Sequence, residues 1–276
     1  MVRAFKIARL MTILITNDDG IGYPGIKALV KAVKGLDELI IVAPRNETSA
    51  ASKALTFSLE VDEVEFNVDG KKIKAYTVSG TPADAVIIAL TQILDEKPRL
   101  ILSGINGGGN LGIEEFFTSA TIGAVIEGAL HGVPGIAFSL VLKEIRRKHQ
   151  VGIEDFKYAM KIVKILVKNV LEQGFPKPYN ILVVNIPEGK PRGVKVTKLA
   201  KYAYGVIHEP SENGRLMWLT SWRMDLYESK DPESDITAIK EGYVSITPIN
   251  IWNITKPHVN EKLNLIVDKL NTLLQD

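Results

Sequence analysis

From Thr12 to about residue 186, short apolar runs alternate with longer amphipathic stretches. Ile13-Leu14-Ile15, Leu39 to Ala43, Leu100 to Leu102, Gly135 to Leu140 and Asn180 to Asn185 show little polar alternation. They read as strands buried on both faces. Between them lie helical signatures with recognisable ends. Pro24 opens a face of Ile26, Leu29, Val30 and Val33 that stops at Gly35, a proline start and a glycine stop. Thr81, Pro82 and Asp84 form an N-cap, a first helical position and a capping-box partner ahead of Val86, Ile87, Leu90 and Ile93. A third helix follows Thr118 to Gly123 and ends near Gly132, and a fourth runs from Ile153 to Leu171 before Gly174. This alternation predicts an α/β fold: a doubly wound, mostly parallel, Rossmann-like sheet.

Two regions depart from it. Leu55, Phe57, Leu59, Val61, Val64 and Phe66 alternate with polar residues, and Asp69-Gly70 turns the chain into Ile73, Ala75 and Thr77. The pattern predicts a β-ribbon standing off the main sheet. Beyond Pro187, Val194 and Val196, then Leu216, Trp218, Thr220 and Trp222, alternate as antiparallel strands. Glu241 to Ile249 is a further strand, and a terminal helix runs roughly from Asn260 to Leu274. The division expected is a core over residues 11–187 and an appendage over 188–276. That C-terminal β-ribbon and helix show no evident core of their own, and such an appendage packs on the sheet domain or serves oligomerisation.

Composition narrows the functional classes. The 276 residues are 46% hydrophobic with a net charge of +2, so a sizeable core is available and no strong pull toward long nucleic acid follows. The chain has no cysteine, which excludes disulfides, thiolate metal sites and a cysteine nucleophile and fits a cytoplasmic location. No apolar run approaches the ~20 residues that span a membrane. Met1 to Leu10 carries positive charge without a secretory apolar core. Because Met11 directly precedes the first strand, Met1 to Leu10 is expected to be a short extra segment or an upstream start. Lys143 to His149 is a basic cluster that reads as a solvated face, with charge steering of a phosphate as the alternative.

Three polar loops follow strands. The first strand ends in Asn17-Asp18-Asp19-Gly20, at the carboxyl edge where open parallel sheets bind ligands. The same residues could form only a polar turn. Adjacent carboxylates at such a position call for a positive charge between them, most simply a divalent cation. The loop after the second strand carries Ser49, and Gly104 to Gly112 is glycine-rich around Asn106. Carboxylate, hydroxyl and amide oxygens suit a hard ion such as Mg²⁺ or Mn²⁺. None of the four histidines is spaced as a zinc ligand pair, and there is no G-x-S-x-G elbow for a Ser-His-Asp triad. Ser119, Ala120 and Thr121 open a helix whose hydroxyls and free amides could bind an anion or merely cap the helix.

Taken in order, Asn17-Asp18-Asp19-Gly20-Ile21, Val42-Ala43-Pro44, Ser49-Ala50, Ser79 to Asp84, Ser103-Gly104-Ile105-Asn106, Asn110-Leu111-Gly112 and Gly242 to Pro248 resemble the SurE survival-protein family over nearly the whole chain from Met11. The resemblance implies a cytosolic, divalent-metal-dependent phosphatase acting on nucleoside 5′- and 3′-monophosphates, with short polyphosphate as a further substrate of some members. It implies metal ligation by Asp18, Asp19, Ser49 and Asn106. It also implies phosphate contact by Asn106, Ser119 and Thr121, and a homo-oligomer, dimer or tetramer, with an exchanged C-terminal segment. The family's usual Ser-Gly-Thr is here Ser119-Ala120-Thr121; the Ala120 amide still donates. Asp18 or Asp19 would act as base or nucleophile. Two other readings stay open: a non-catalytic nucleotide-binding sensor, and a dinucleotide-dependent oxidoreductase. The second expects glycines rather than two acids after the first strand.

Overall fold

The computed structural model describes residues 12–143, 145–201, 208–210, 214–218, 228–255 and 261–273. The leading segment Met1 to Leu10 and the strand positions Thr220 and Trp222 lie outside them. The first strand, β1 (Thr12–Thr16), leads into α1 (Pro24–Val33) and β2 (Glu38–Pro44). A hairpin of β3 (Val61–Val68) and β4 (Lys71–Val78) precedes α2 (Pro82–Ile88) and β5 (Leu100–Gly107). Two consecutive helices, α3 (Gly112–Thr118) and α4 (Ala120–Leu130), lead to β6 (Gly135–Val141), then α5 (Lys157–Gln173) and β7 (Ile181–Pro187). The rest contributes β8 (Val194–Val196), β9 (His208–Pro210), β10 (Leu216–Trp218), α6 (Asp235–Lys240), β11 (Val244–Ile249) and α7 (Glu261–Leu273).

Nine strands form one sheet in the order β3-β4-β2-β1-β5-β6-β7-β11-β8. β4, β2, β1, β5, β6 and β7 run parallel to their neighbours, with antiparallel pairing at β3/β4 and β7/β11. Side chains of β1 alternate between two helical layers. Ile13 and Ile15 join the core with Ile26, Leu29 and Val163 of α1 and α5. Leu14 faces the other way, against Val86 of α2 and Ile122 and Val125 of α4. The predicted doubly wound sheet is therefore present, and β1 lies centrally because both its faces are apolar.

The helix ends match their chemistry. Thr81 accepts from the Asp84 N–H and Asp84 accepts from the Thr81 N–H, a closed capping box with Pro82 at the helix start. Gly174 stops α5 at φ +86°.

Three expectations need correction. The hairpin does not stand off the sheet: β4 pairs in parallel with β2, Ile41 opposite Ala75. Its polar alternation (Glu63, Glu65, Lys72, Lys74) marks an edge, and an edge strand with charged outer positions reads like a free ribbon. On the other side, β11 pairs antiparallel with β7 from Ser245 opposite Asn185 to Ile249 opposite Ile181, and β8 pairs with β11. These C-terminal strands thus extend the main sheet. β10, expected from its alternation, pairs antiparallel with β9, which the pattern did not mark, whereas β8 runs parallel to β11 and not antiparallel as expected.

Candidate active site at the carboxyl edge of β1 and β5

The chain leaves β1 toward β2 on one side and returns to β5 on the other. Between such diverging connections the loops part and leave a crevice at the carboxyl ends of the strands. Asp18, Ser49, Asn106, Ser119 and Lys148 line that cleft.

Asp18 and Asp19 follow β1 and are almost wholly enclosed, the Asp19 side chain being 1% exposed. Asn17 braces their turn by donating from Nδ2 to the Gly20 carbonyl at 2.9 Å, and the Asp18 carbonyl accepts from Thr48 N–H at 2.8 Å. The Thr121 hydroxyl donates to Asp18 Oδ1 at 2.6 Å. Among the described residues, Asp19 Oδ2 receives only a long 3.3 Å contact from Gly107 N–H. Burial raises both carboxyls above the ordinary aspartate range, and for Asp19, pushed up to about 7, the charge of Asp18 adds to burial.

What faces these acids is an ammonium. Lys148 lies in a short 3₁₀ turn, Ile145–Gln150, after β6. Its Nζ lies 2.7 Å from Asp19 Oδ1, 2.6 Å from Glu47 Oε1 and 3.1 Å from Ser49 Oγ. The side chain is 5% exposed, so the basic cluster is no uniformly solvated face. Burial works against its charge, yet Asp19 and Asp18 outweigh burial and hold the ammonium above the ordinary lysine range. Burial likewise works against ionised Glu47, but its bonds with Lys148 and Ser49 keep that carboxyl below its usual range. Tyr23 donates its hydroxyl to the Lys148 carbonyl at 3.1 Å, and its ring stacks edge-on against Phe156. Burial and nearby acids raise the Tyr23 phenol, so it stays a donor.

The Ser49 loop is tightly wound. Ala50 and Ser52 adopt positive φ, 57° and 53°, a conformation that non-glycine residues hold only where the surroundings impose it. Ser52 supplies the restraint, donating from N–H to the Thr118 carbonyl (2.9 Å) and from Oγ to the Phe117 carbonyl (2.5 Å). Gly123 permits this approach, since a Cβ there would meet the Ser52 carbonyl oxygen at 2.2 Å.

The glycine-rich loop is held by amides. Asn110 N–H donates to Asn185 Oδ1 and Asn185 Nδ2 donates to the Asn110 carbonyl, both at 2.8 Å; Asn110 Nδ2 donates to Ser139 Oγ at 2.7 Å. Asn106 commits its Nδ2 to the Gly108 carbonyl at 2.9 Å, which leaves Oδ1 as its uncommitted end among the described residues. Downstream, Gly112 N–H donates to Asp235 Oδ2 at 2.7 Å, so the C-terminal part of the chain anchors the start of α3.

Of the helix-start residues, Ser119 lines the cleft and also caps α4, accepting from Ile122 N–H at 3.2 Å. Ala120 and Thr121 are fully buried. The Thr121 hydroxyl is spent on Asp18, so only backbone N–H groups of these two remain for an anion. Two carboxylates, a hydroxyl and an amide oxygen form an all-oxygen set with spare lone pairs, which fits a hard divalent cation that keeps some water. Among the described residues no group of three His, Cys, Asp or Glu side chains is arranged to hold a metal, so waters or neutral oxygens would complete any shell.

Sequence reading missed Lys148, Glu47, Tyr23 and the Asn110–Asn185 pair. For Lys148 a signal existed: the basic cluster follows β6, beside β5 on the ligand-binding edge. Asn185 stands within an apolar strand, where a buried amide needs partners.

Comparison with known proteins agrees with this geometry. Residues 13–206 match the family model described as Survival protein SurE. The chain is 37% identical over 272 residues to a protein of Pelotomaculum thermopropionicum named 5′-nucleotidase SurE, covering 96% of this chain and all of that one. A Methanocella arvoryzae protein of the same name is 39% identical over 87% of this chain and 91% of its own length. The crystal structure of the SurE protein from Aquifex aeolicus superposes with a TM-score of 0.71 at 33% identity, covering 94% of this chain and 99% of that one.

Proposed function

The chain belongs to the SurE survival-protein family, and on that premise we propose that it is a phosphomonoesterase hydrolysing nucleoside 5′- and 3′-monophosphates to nucleoside and phosphate. The observation that carries the reading is the buried Asp18–Asp19 pair at the sheet's switch point, held by one hydroxyl, one long amide contact and the Lys148 ammonium beside a cleft lined by amides and hydroxyls.

Asp18, Asp19, Ser49 Oγ and Asn106 Oδ1 would hold a divalent ion, Mg²⁺ or Mn²⁺. When bound, such an ion supplies positive charge for the phosphoryl oxygens and lowers the pKa of the attacking water. The residues divide the remaining work. Thr121 fixes one oxygen of Asp18. A further carboxylate oxygen of the pair would take the water's proton. At the start of α4, Ala120 and Thr121 would offer their N–H groups to the phosphate oxygens, while the Ser119 N–H is committed to the Glu115 carbonyl and Ser119 contributes its hydroxyl at the cleft wall; such bonds strengthen as charge builds in the transition state. Loop glycines after Asn106 let backbone approach the ester closely.

The exposed apolar residues of α7, Leu263, Leu265, Ile266 and Leu270, support a homo-oligomer, dimer or tetramer, in which the C-terminal segment is exchanged.

A panel of 5′- and 3′-mononucleotides and short polyphosphate, assayed for released phosphate with EDTA and after adding back Mg²⁺ or Mn²⁺, tests this reading. Metal-restored hydrolysis of mononucleotides is expected. Tight nucleotide binding without phosphate release under every metal would instead establish a sensor.

A further inference from the structure

Two acids at the cleft, Asp19 and Glu47, share a single ammonium as their ion-pair partner. Among the described residues that line the cleft, Lys148 is the one cationic side chain. Its Nζ lies between Asp19 Oδ1 at the buried end and Glu47 Oε1 and Ser49 Oγ toward solvent. The Glu47 side chain is 37% exposed against 1% for Asp19, so the ammonium bridges the inside and the mouth of the cleft. Its backbone is fixed independently, through the Tyr23 hydroxyl bonded to the Lys148 carbonyl. A lysine with a tethered backbone and a flexible four-carbon stem can move its charge without moving the chain.

Resting on the phosphatase reading above, we propose that Lys148 is an exchangeable cation and a phosphate ligand. It neutralises Asp19 while the metal is absent, yields that carboxylate when a divalent ion binds, and then receives a substrate phosphate oxygen at the mouth of the cleft. Two reasons support an exchange over simultaneous occupancy. A dication on Asp19 would stand within ion-pair distance of the ammonium and repel it. A phosphomonoester entering past Glu47 also brings negative charge to the mouth, where Lys148 already has Glu47 and Ser49 as a second station. The ammonium thereby follows the charge from carboxylate to substrate.

The exchange leaves a signature that a mere structural prop would not. In K148M, Mn²⁺ binding without substrate, followed by electron paramagnetic resonance, should tighten about tenfold because its competitor is gone. Binding of inorganic phosphate to the metal-loaded protein should weaken about tenfold, as loss of a charged hydrogen bond implies. K148R, which keeps the charge, should restore most of the phosphate affinity. If both affinities fall together, Lys148 only supports the site, and if neither moves it has no role; either result overturns the proposal. Should K148M not fold, ¹⁵N-lysine spectra of the wild-type protein decide the matter. Mg²⁺ alone should shift the Lys148 ammonium resonance, and an unmoved resonance at saturating Mg²⁺ refutes the exchange. A wild-type protein that binds no metal and releases no phosphate would instead overturn the phosphatase reading and this inference with it. Wild-type activity with unaltered K148M affinities overturns this inference alone.

Discussion

Asp18–Asp19 and Asp84 are buried acids beside helices of the same sheet, yet they are held in opposite ways. Asp84 is saturated: it accepts from Thr81 N–H at 2.8 Å, Thr56 N–H at 3.0 Å and Thr56 Oγ1 at 2.8 Å. Asp235 is similar, with backbone N–H groups of Gly112, Ala200 and Ile236 within 3.0 Å. The pair after β1 receives one hydroxyl, one long amide contact and one ammonium. A carboxylate saturated by fixed backbone donors holds the fold together. One left with open lone pairs beside a cleft is available to a ligand, and the difference separates scaffold from site more reliably than burial does.

The sharpest way to break this contrast is to neutralise one acid of each kind. Asp19→Asn should lower metal-dependent turnover of AMP by roughly 10²-fold or more, the scale of losing a key electrostatic group. Its thermal midpoint without metal should stay level or rise, since a repelled buried charge has been removed. Full activity in that variant would defeat the assignment. Asp84→Ala should do the reverse. Stability in urea should drop by about 2–4 kcal/mol, because a cap is lost and buried donors are stranded, while turnover per folded molecule stays within about twofold.

Asn185→Ala tests the link between scaffold and site. Freeing Asn110 should cost about 1–3 kcal/mol and raise KM more than it lowers kcat, as the glycine loop loses its register. Equal effects on both constants would argue against a positioning role. The smallest effect is a slope. Burial raises the Asp235 carboxyl above its ordinary 3.8 despite its backbone bonds. The folded protein therefore keeps this proton after the unfolded chain has released it. Stability from this group is full below pH 3.8 and is lost as pH rises through the raised value. Urea midpoints measured upward from pH 3.5 should fall more steeply for wild type than for Asp235→Asn, and parallel slopes would refute this.

Much of this molecule was legible before any coordinates. The capping box at Thr81–Asp84, the Pro24 start of α1 and the double-faced strand β1 are local, set by three or four neighbouring residues. The placement of Asp18, Ser49 and Asn106 beside one cleft followed from strand order and the rule for open parallel sheets. The edge position of the β3–β4 hairpin did not, because edge pairing leaves the same alternating pattern as a free ribbon.

Sequence by itself determined the buried strands of the parallel core and the acids at the mouth of β1, since periodicity and caps act within a few residues. Tertiary structure alone decided which cation meets those acids. Lys148 sits in a basic run whose sequence reads as a solvated face or a phosphate-steering patch, and only the folding of the segment after β6 brings its Nζ against Glu47, 101 residues earlier in the chain, and against Asp19. An ion pair between distant segments leaves no local pattern, because its energy depends on distance and burial rather than on sequence spacing.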